Sequence, residues 1–414
     1  MEQGNVYSRE KTEKGAMTTG LRDAELWLCS ALKASINGSE FSKADETVER
    51  EVLKNDKGRG VLALLYPFFD DISDPGLKKA VEYSAKNNAV SCYRLFQNTR
   101  YILEKLEAEG IDCAVLKGVD LASRYPVPEY RGFADIDLFI RDREQIDNAV
   151  RIIENCGFEK EKEQSSIHHI AFLNQERIEI ELHTDMVRPF DSEAVNSRIA
   201  DIYKSTDYSF FERELFGARF KVLPDSLNGF YLLLHTLQHF LAAGFGLRLL
   251  LDWTAFWNGV EDDDAYTEFM AHCDSCKVRG FSDAITGICV KYLGMSPERA
   301  EKIMSPGYLQ ALDKNEVIDK LAREVFDAGR FGEGTGRLVN LRNPSIFGLI
   351  KEFHHQTRIN YPKASRIFLI WPILWIGSLI RFTKNNKTVR HTGAKEIIGN
   401  AKKRSRLTKE IGLW

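Results

Sequence analysis

Two aspartates stand two residues apart in RGFADIDLFI (131–140), where Asp135, Asp137 and Phe139 alternate with Ile136, Leu138 and Ile140. A period of two reads as a β-strand with one apolar face and one face carrying both carboxylates. Like charges on one strand face repel, so something must compensate them, and a divalent metal is the obvious candidate. Mg2+ takes octahedral oxygen ligands, commonly one or two carboxylates plus substrate phosphates, and Mn2+ accepts the same donors.

A third carboxylate must approach from a neighbouring strand. RIEIELH (177–183) offers Glu179 and Glu181 on the same face as His183. Upstream, Lys117 and Gly118 close a short apolar strand, where backbone N–H groups can approach a phosphate. Lys117 and Arg131 are cations suited to a triphosphate. This set fits phosphoryl transfer, in which metal ions and placed cations stabilise charge and a carboxylate orients or deprotonates the attacking hydroxyl.

The elements that must position these residues follow from the patterning. Residues 21–109 read as helical, with one long amphipathic helix over 87–109 stopped at Gly110. From Ile111 the pattern changes to β-α-β-α-β-β: the strand IDCAVL, a brief helix VDLASRY, the aspartate strand, a helix to Gly157, then HIAFL (169–173) and RIEIELH. Asp142 with Gln145 gives that second helix a capping-box start. From about 195 the chain is expected to return to helix. These features predict an α+β fold: a small mixed sheet with packed helices, flanked by helical regions on both sides. The expected divisions are a flexible N-terminus (1–20), an N-terminal helical region (21–85), the catalytic core (86–195), a C-terminal helical domain (196–380) and a basic tail (381–414).

AVLKGVDLASRYPVPEYRGFADIDLFI followed by IEIELHTDM resembles the nucleotidyltransferase superfamily of the DNA polymerase β type. More narrowly, it is similar to a bacterial family of largely uncharacterised nucleotidyltransferases. There a Leu-Lys-Gly segment precedes a Tyr-Pro, an Arg, an Asp-x-Asp strand and a Glu-Leu-His strand. Two histidines four apart then precede an Arg…Asp helix, matched here by His235, His239, Arg248 and Asp252. The resemblance implies that Asp135 and Asp137 bind the metal, that Gly118 belongs to the nucleotide loop, and that Glu181 rather than Glu179 is the third carboxylate. One departure is the 15 residues between Val119 and Asp135, longer than the gap usual in the wider superfamily, whose Gly-Gly or Gly-Ser is here Lys-Gly-Val.

Other motifs point to blander roles. His235 and His239 have metal-ligand spacing on a helix but no third ligand, which favours lining a pocket over holding zinc. Arg248 and Asp252 read either as an ordinary i, i+4 helix pair or as residues closing over the nucleotide. Cys273-x-x-Cys276 lacks a second pair, Glu261–Asp264 is an acidic turn, and the glycine-rich stretch 330–337 lacks the strand-then-helix context of a phosphate loop.

Composition bounds the rest. With 43% hydrophobic and 28% charged residues and a net charge of −3, the chain gives no reason to expect general nucleic-acid affinity. Seven scattered cysteines fit free thiols in a reducing cytoplasm. The apolar run Ile367–Ile380 has 14 residues and contains Pro372, short of the roughly 20 a spanning helix needs. It carries Trp371 and Trp375, and the tail beyond it has ten Lys or Arg against two Glu, a net +8. That segment reads either as core with a solvated tail or as a peripheral contact at the inner membrane face.

The resulting expectation is a metal-dependent enzyme that moves a nucleoside monophosphate from ATP or another triphosphate to a hydroxyl-bearing small molecule, sugar or protein, with release of pyrophosphate. The alternative is an inert nucleotide-binding or regulatory protein on the same fold. At a solvent-facing metal site a carboxylate-to-amide change costs little stability, so Asp137→Asn is expected to abolish transfer and leave the fold intact.

Overall fold

The computed structural model describes residues 21–54, 60–161, 168–205, 208–242, 244–328, 354, 357, 370–385 and 405–413. The N-terminus expected to be flexible (1–20), the glycine-rich stretch 330–337 and most of the expected basic tail lie outside the described residues.

The chain opens with helices α1 (Asp23–Asn37) and α2 (Glu46–Lys54), followed by α3 (Pro75–Ala108). The start of α3 is fixed by Asp74, whose side chain accepts the Leu77 amide, and by Pro75 in the first turn. Its end comes just before Gly110, at φ +72°. A single helix therefore runs through residues 85 and 86, where the sequence reading divides two regions. Its buried positions (Leu77, Val81, Ala85, Cys92, Leu95, Phe96, Thr99, Ile102, Leu106) recur at helical spacing.

Next come β1 (Cys113–Val115), α4 (Lys117–Ala122), β2 (Asp135–Ile140), α5 (Ile146–Asn155), β3 (Glu159–Glu161), β4 (His169–Leu173), β5 (Glu179–His183) and α6 (Glu193–Lys204). The expectation that only helices follow residue 195 is corrected by a hairpin, β6 (Phe211–Leu215) and β7 (Ala218–Val222). Phe216 and Gly217 form its two-residue turn, both with positive φ, the geometry that matches strand twist. The seven strands form one mixed sheet in the order β3-β4-β5-β2-β1-β7-β6. The aspartate strand β2 lies at its centre, parallel to β5 and antiparallel to β1.

Helices α7 (Asp225–Ala242), α8 (Leu247–Asn258), α9 (Asp263–Cys276), α10 (Arg279–Tyr292), α11 (Pro297–Ile303), α12 (Glu316–Ala328) and α13 (Trp371–Asn385) follow, and residues 405–410 are again helical. The molecule is thus α+β, with helices flanking the sheet.

The two sheet faces belong to different cores. Ile136, Leu138, Ile140, Ile178, Ile180 and Leu182 join Leu95, Phe96 and Ile102 of α3 and Ile153 of α5. Phe139, on the opposite face, joins the larger core built from α1 and α7–α12. The face carrying the aspartates therefore looks toward the helical domain. Residues 405–413, within the stretch expected to be a tail, return to that domain: Leu407 and Ile411 are buried in its core. A Cβ on Gly280 would lie 2.2 Å from the Ile411 carbonyl oxygen, so the backbones touch there. All seven cysteines are unpaired, and all but half-buried Cys156 are buried.

Candidate active site

The pairing of β2 with β5 sets Asp135 opposite Glu179, Asp137 opposite Glu181 and Phe139 opposite His183. In a parallel pair, partners share a face, so all four carboxylates and His183 project from one side of the sheet. β4 adds His169, opposite His183.

Asp137 is the hub. It is 1% exposed, and its Oδ1 lies 2.9 Å from Lys117 Nζ and 3.0 Å from His183 Nε2. His183 Nε2 also lies 3.4 Å from Glu181 Oε2, and His169 Nε2 lies 3.7 Å from Glu181 Oε1. The repulsion built into the strand is thus met by two cationic side chains of this chain. Burial opposes ionisation of Asp137, but the Lys117 charge and the His183 hydrogen bond hold its carboxyl well below the usual range. Asp135 moves the other way, raised by burial and by the Asp137 charge. Burial works against Glu181 as well, and the His183 hydrogen bond lowers it on balance. Burial and the Glu181 charge raise Glu179. Lys117 and His183 lose solvation on burial, yet the carboxylates keep the affinity of both for a proton raised.

The expectation of a solvent-facing Asp137 is therefore corrected. Asp137→Asn would leave half-buried Lys117 and buried His183 without their counter-charge, a loss on the order of 3 kcal/mol. Half-buried Asp135 and Glu181 are the better positions for testing chemistry apart from stability.

Lys117 and Gly118 open α4. Gly118 adopts φ +42° and ψ −105°, a conformation that side-chain-bearing residues avoid. This kink turns Lys117 toward Asp137. Arg131, expected at the triphosphate, is committed elsewhere. It is 5% exposed and bonds Asp252 through both carboxylate oxygens at 2.8 Å, while its Nη1 donates to the Gly118 carbonyl at 3.1 Å. Tyr125 donates to the same Asp252 at 2.8 Å. Arg131 thus holds the glycine turn in place and reaches the nucleotide, at most, through it. Arg248, read alternatively as the helix partner of Asp252, donates to the Gly132 carbonyl at 3.1 Å.

Helix α7 covers the cluster. Tyr231 lies with its ring 6.3 Å from that of His183 and 6.0 Å from that of His235, and His235 sits 4.6 Å from His239. Burial and the Lys117 charge push His235 well below the usual histidine range, which favours the neutral ring. Among the described residues, the group whose donor atoms lie within 4.8 Å of one another is Asp137, Glu181 and His183, without His235 or His239. Sequence reasoning missed Tyr231 and His169. The first had a signal in Tyr231, His235 and His239, spaced by four along an otherwise apolar helix; the second stands at the head of HIAFL.

The donor set fits a divalent cation. Asp137 Oδ2 is buried without a hydrogen-bond partner, which is costly unless something positive meets it. Glu181, His183 and Asp135 flank that atom's carboxylate on the same face.

A family described as "Uncharacterised nucleotidyltransferase" matches residues 58–294, more than half of the chain. The chain belongs to this family. No curated protein matches it. Membership makes the protein a nucleotidyltransferase, an enzyme that acts on a nucleotide substrate, and the matched segment contains every residue of the cluster.

Proposed function

We propose that the protein transfers a nucleoside monophosphate from a triphosphate to a hydroxyl-bearing acceptor, with Asp135, Asp137 and Glu181 as the metal-binding carboxylates. The observation that carries this reading is the buried, unpartnered Asp137 Oδ2 on a face lined by further carboxylates. A divalent cation bound by Asp135, Asp137 and Glu181, with His183 beside them, would neutralise the triphosphate and polarise the reacting phosphoryl group.

The chain's own groups supply the rest. Lys117, paired with Asp137, is placed to exchange that partner for a phosphate oxygen. Gly118 exposes the backbone of its turn to the same phosphates. The acceptor oxygen bonds to the α-phosphorus as the bond to the β-phosphate oxygen breaks; pyrophosphate leaves and the hydroxyl proton passes to a carboxylate of the cluster. The helices on either side of the sheet build the acceptor pocket in this reading.

Pyrophosphate release from each labelled triphosphate, with a cell extract as the acceptor source, tests the proposal. Wild type should label an acceptor and Glu181→Gln should fall by about a thousandfold, roughly 4 kcal/mol of transition-state stabilisation. An inert nucleotide-binding protein would show metal-dependent binding and no pyrophosphate.

A second proposal concerns location. Among the described residues no helix is long and apolar enough to cross a membrane. Yet α13 presents Ile373 (70% exposed), Ile376 (60%) and Trp375 outward. Its other side docks through buried Leu374, through Trp371 stacked 3.9 Å from His354, and through Ser378 bonded to Thr357. Arg381 and Lys384 follow the apolar run, within a stretch of net charge +8. This combination supports peripheral contact with an anionic lipid surface.

A further inference from the structure

Tyr231 carries a buried hydroxyl whose proton the fold gives no acceptor. The side chain is 1% exposed and its oxygen is buried; Lys117 can donate a hydrogen bond to that oxygen, but the phenol's own O–H has no acceptor within hydrogen-bond distance. On either side along α7, Phe230, Leu232, Leu233 and Leu234 are all core. A phenylalanine would fill the same space, losing the contact with Lys117 but avoiding the cost of about 1–3 kcal/mol that a buried donor without an acceptor imposes. Buried donors left unpaired in this way call for an occupant.

The surroundings name its chemistry. Lys117 Nζ lies 5.9 Å from the centre of the Tyr231 ring, and the His183 ring lies edge-on at 86°. Burial keeps the phenol protonated far above neutral pH, and the charges of Lys117, Asp137 and Glu181 all act on it. It can therefore donate a hydrogen bond beside Lys117, the cation proposed to exchange Asp137 for a phosphate oxygen, at the place proposed for the phosphates.

We propose that the Tyr231 hydroxyl is a phosphate-binding donor, bonding a non-bridging oxygen of the bound triphosphate next to Lys117. This rests on the nucleotidyl-transfer reading and adds to it a residue outside the motifs that define the site. The contact is to phosphate, so it ignores the base. A hydrogen bond to a charged group is worth enough to change affinity by about ten- to a hundredfold.

Calorimetric titration of wild type and Tyr231→Phe with ATP, GTP, CTP, UTP and inorganic pyrophosphate, each with Mg2+, tests it. The variant should keep the wild-type fold, as read from its circular dichroism spectrum and a single cooperative melt. It should bind every triphosphate that wild type binds, and pyrophosphate, more weakly by the same factor of ten or more. Unchanged affinity, as expected if the hydroxyl only meets a buried water, overturns the proposal and leaves the nucleotidyl-transfer reading standing. A loss confined to one base overturns it too, because the contact would then be to the base. If wild type binds none of the five ligands, both readings fall together.

Discussion

At the scale of single residues, the site is a set of charges that hold one another in place. Asp137 satisfies Lys117 and His183, so it is part of the fold as well as of the chemistry. Asp135, Glu179 and Glu181 are less committed, and the third-carboxylate question can be put to them directly. Glu181 is bonded into the cluster through His183, whereas the raised Glu179 sits at the open end of β5, opposite Asp135. Glu179→Gln should therefore retain at least a third of wild-type turnover while Glu181→Gln loses about a thousandfold, as measured by initial rates on purified variants of matched melting temperature. Equal losses would assign both carboxylates to the metal. The shared face was legible in the sequence because strand periodicity alone puts Asp135, Asp137, Glu179, Glu181 and His183 on one side. The pairing of Lys117 with Asp137 was not legible. It depends on the Gly118 kink, which no periodicity reports.

At the scale of elements, the decisive contact is Arg131 with Asp252, which ties the loop before β2 to α8. The bidentate bond is buried on both sides. Asp252→Asn leaves the guanidinium in a closed site with no counter-charge and with one of its two acceptor oxygens replaced by an amide donor, and should cost on the order of 3 kcal/mol in a denaturant melt. Since Arg131 also holds the Gly118 carbonyl, the same variant should raise the KM for the triphosphate. A normal KM would separate the salt bridge from the turn. Sequence gave the pair no hint, because Arg131 and Asp252 are distant in the chain and Arg248 offered Asp252 a closer cation.

The missed strands have two different causes. β3 is EKE at the sheet edge, where charged residues guard an open ladder and no apolar alternation can appear. The β6–β7 hairpin did alternate, with a Phe-Gly turn, and was hidden by the long helical patterns after it. Helix α13 is where the apolar run of the sequence divides into a docked and an outward side. Flotation with anionic vesicles tests the outward side: wild type should rise with them, less so as salt increases, and Ile373→Glu/Ile376→Glu should stay below. Wild type remaining at the bottom would leave α13 without a lipid role.

At the scale of the whole molecule, the end of the chain closes onto the helical domain. Leu407 and Ile411 bury themselves against the core, and Gly280 makes room for the Ile411 backbone. Deleting 405–414 should destabilise the helical domain by about 3–6 kcal/mol, from two large aliphatic side chains at roughly 1.5–3 kcal/mol each. A differential scanning calorimetry trace superimposable on wild type would sink that expectation.

The bond between Arg131 and Asp252 spans 121 residues, and that between Arg124 and Asp225 spans 101. Loops of that length close late, because their entropy must be spent before the contact returns anything. During synthesis the carboxylate strand emerges well before the helix that anchors the loop leading into it. Until residue 252 has left the ribosome, that nascent face carries an arginine that has yet to meet its aspartate. Assembly of the nucleotide turn is thereby coupled to completion of the helical domain, and a partly made chain does not display a finished site.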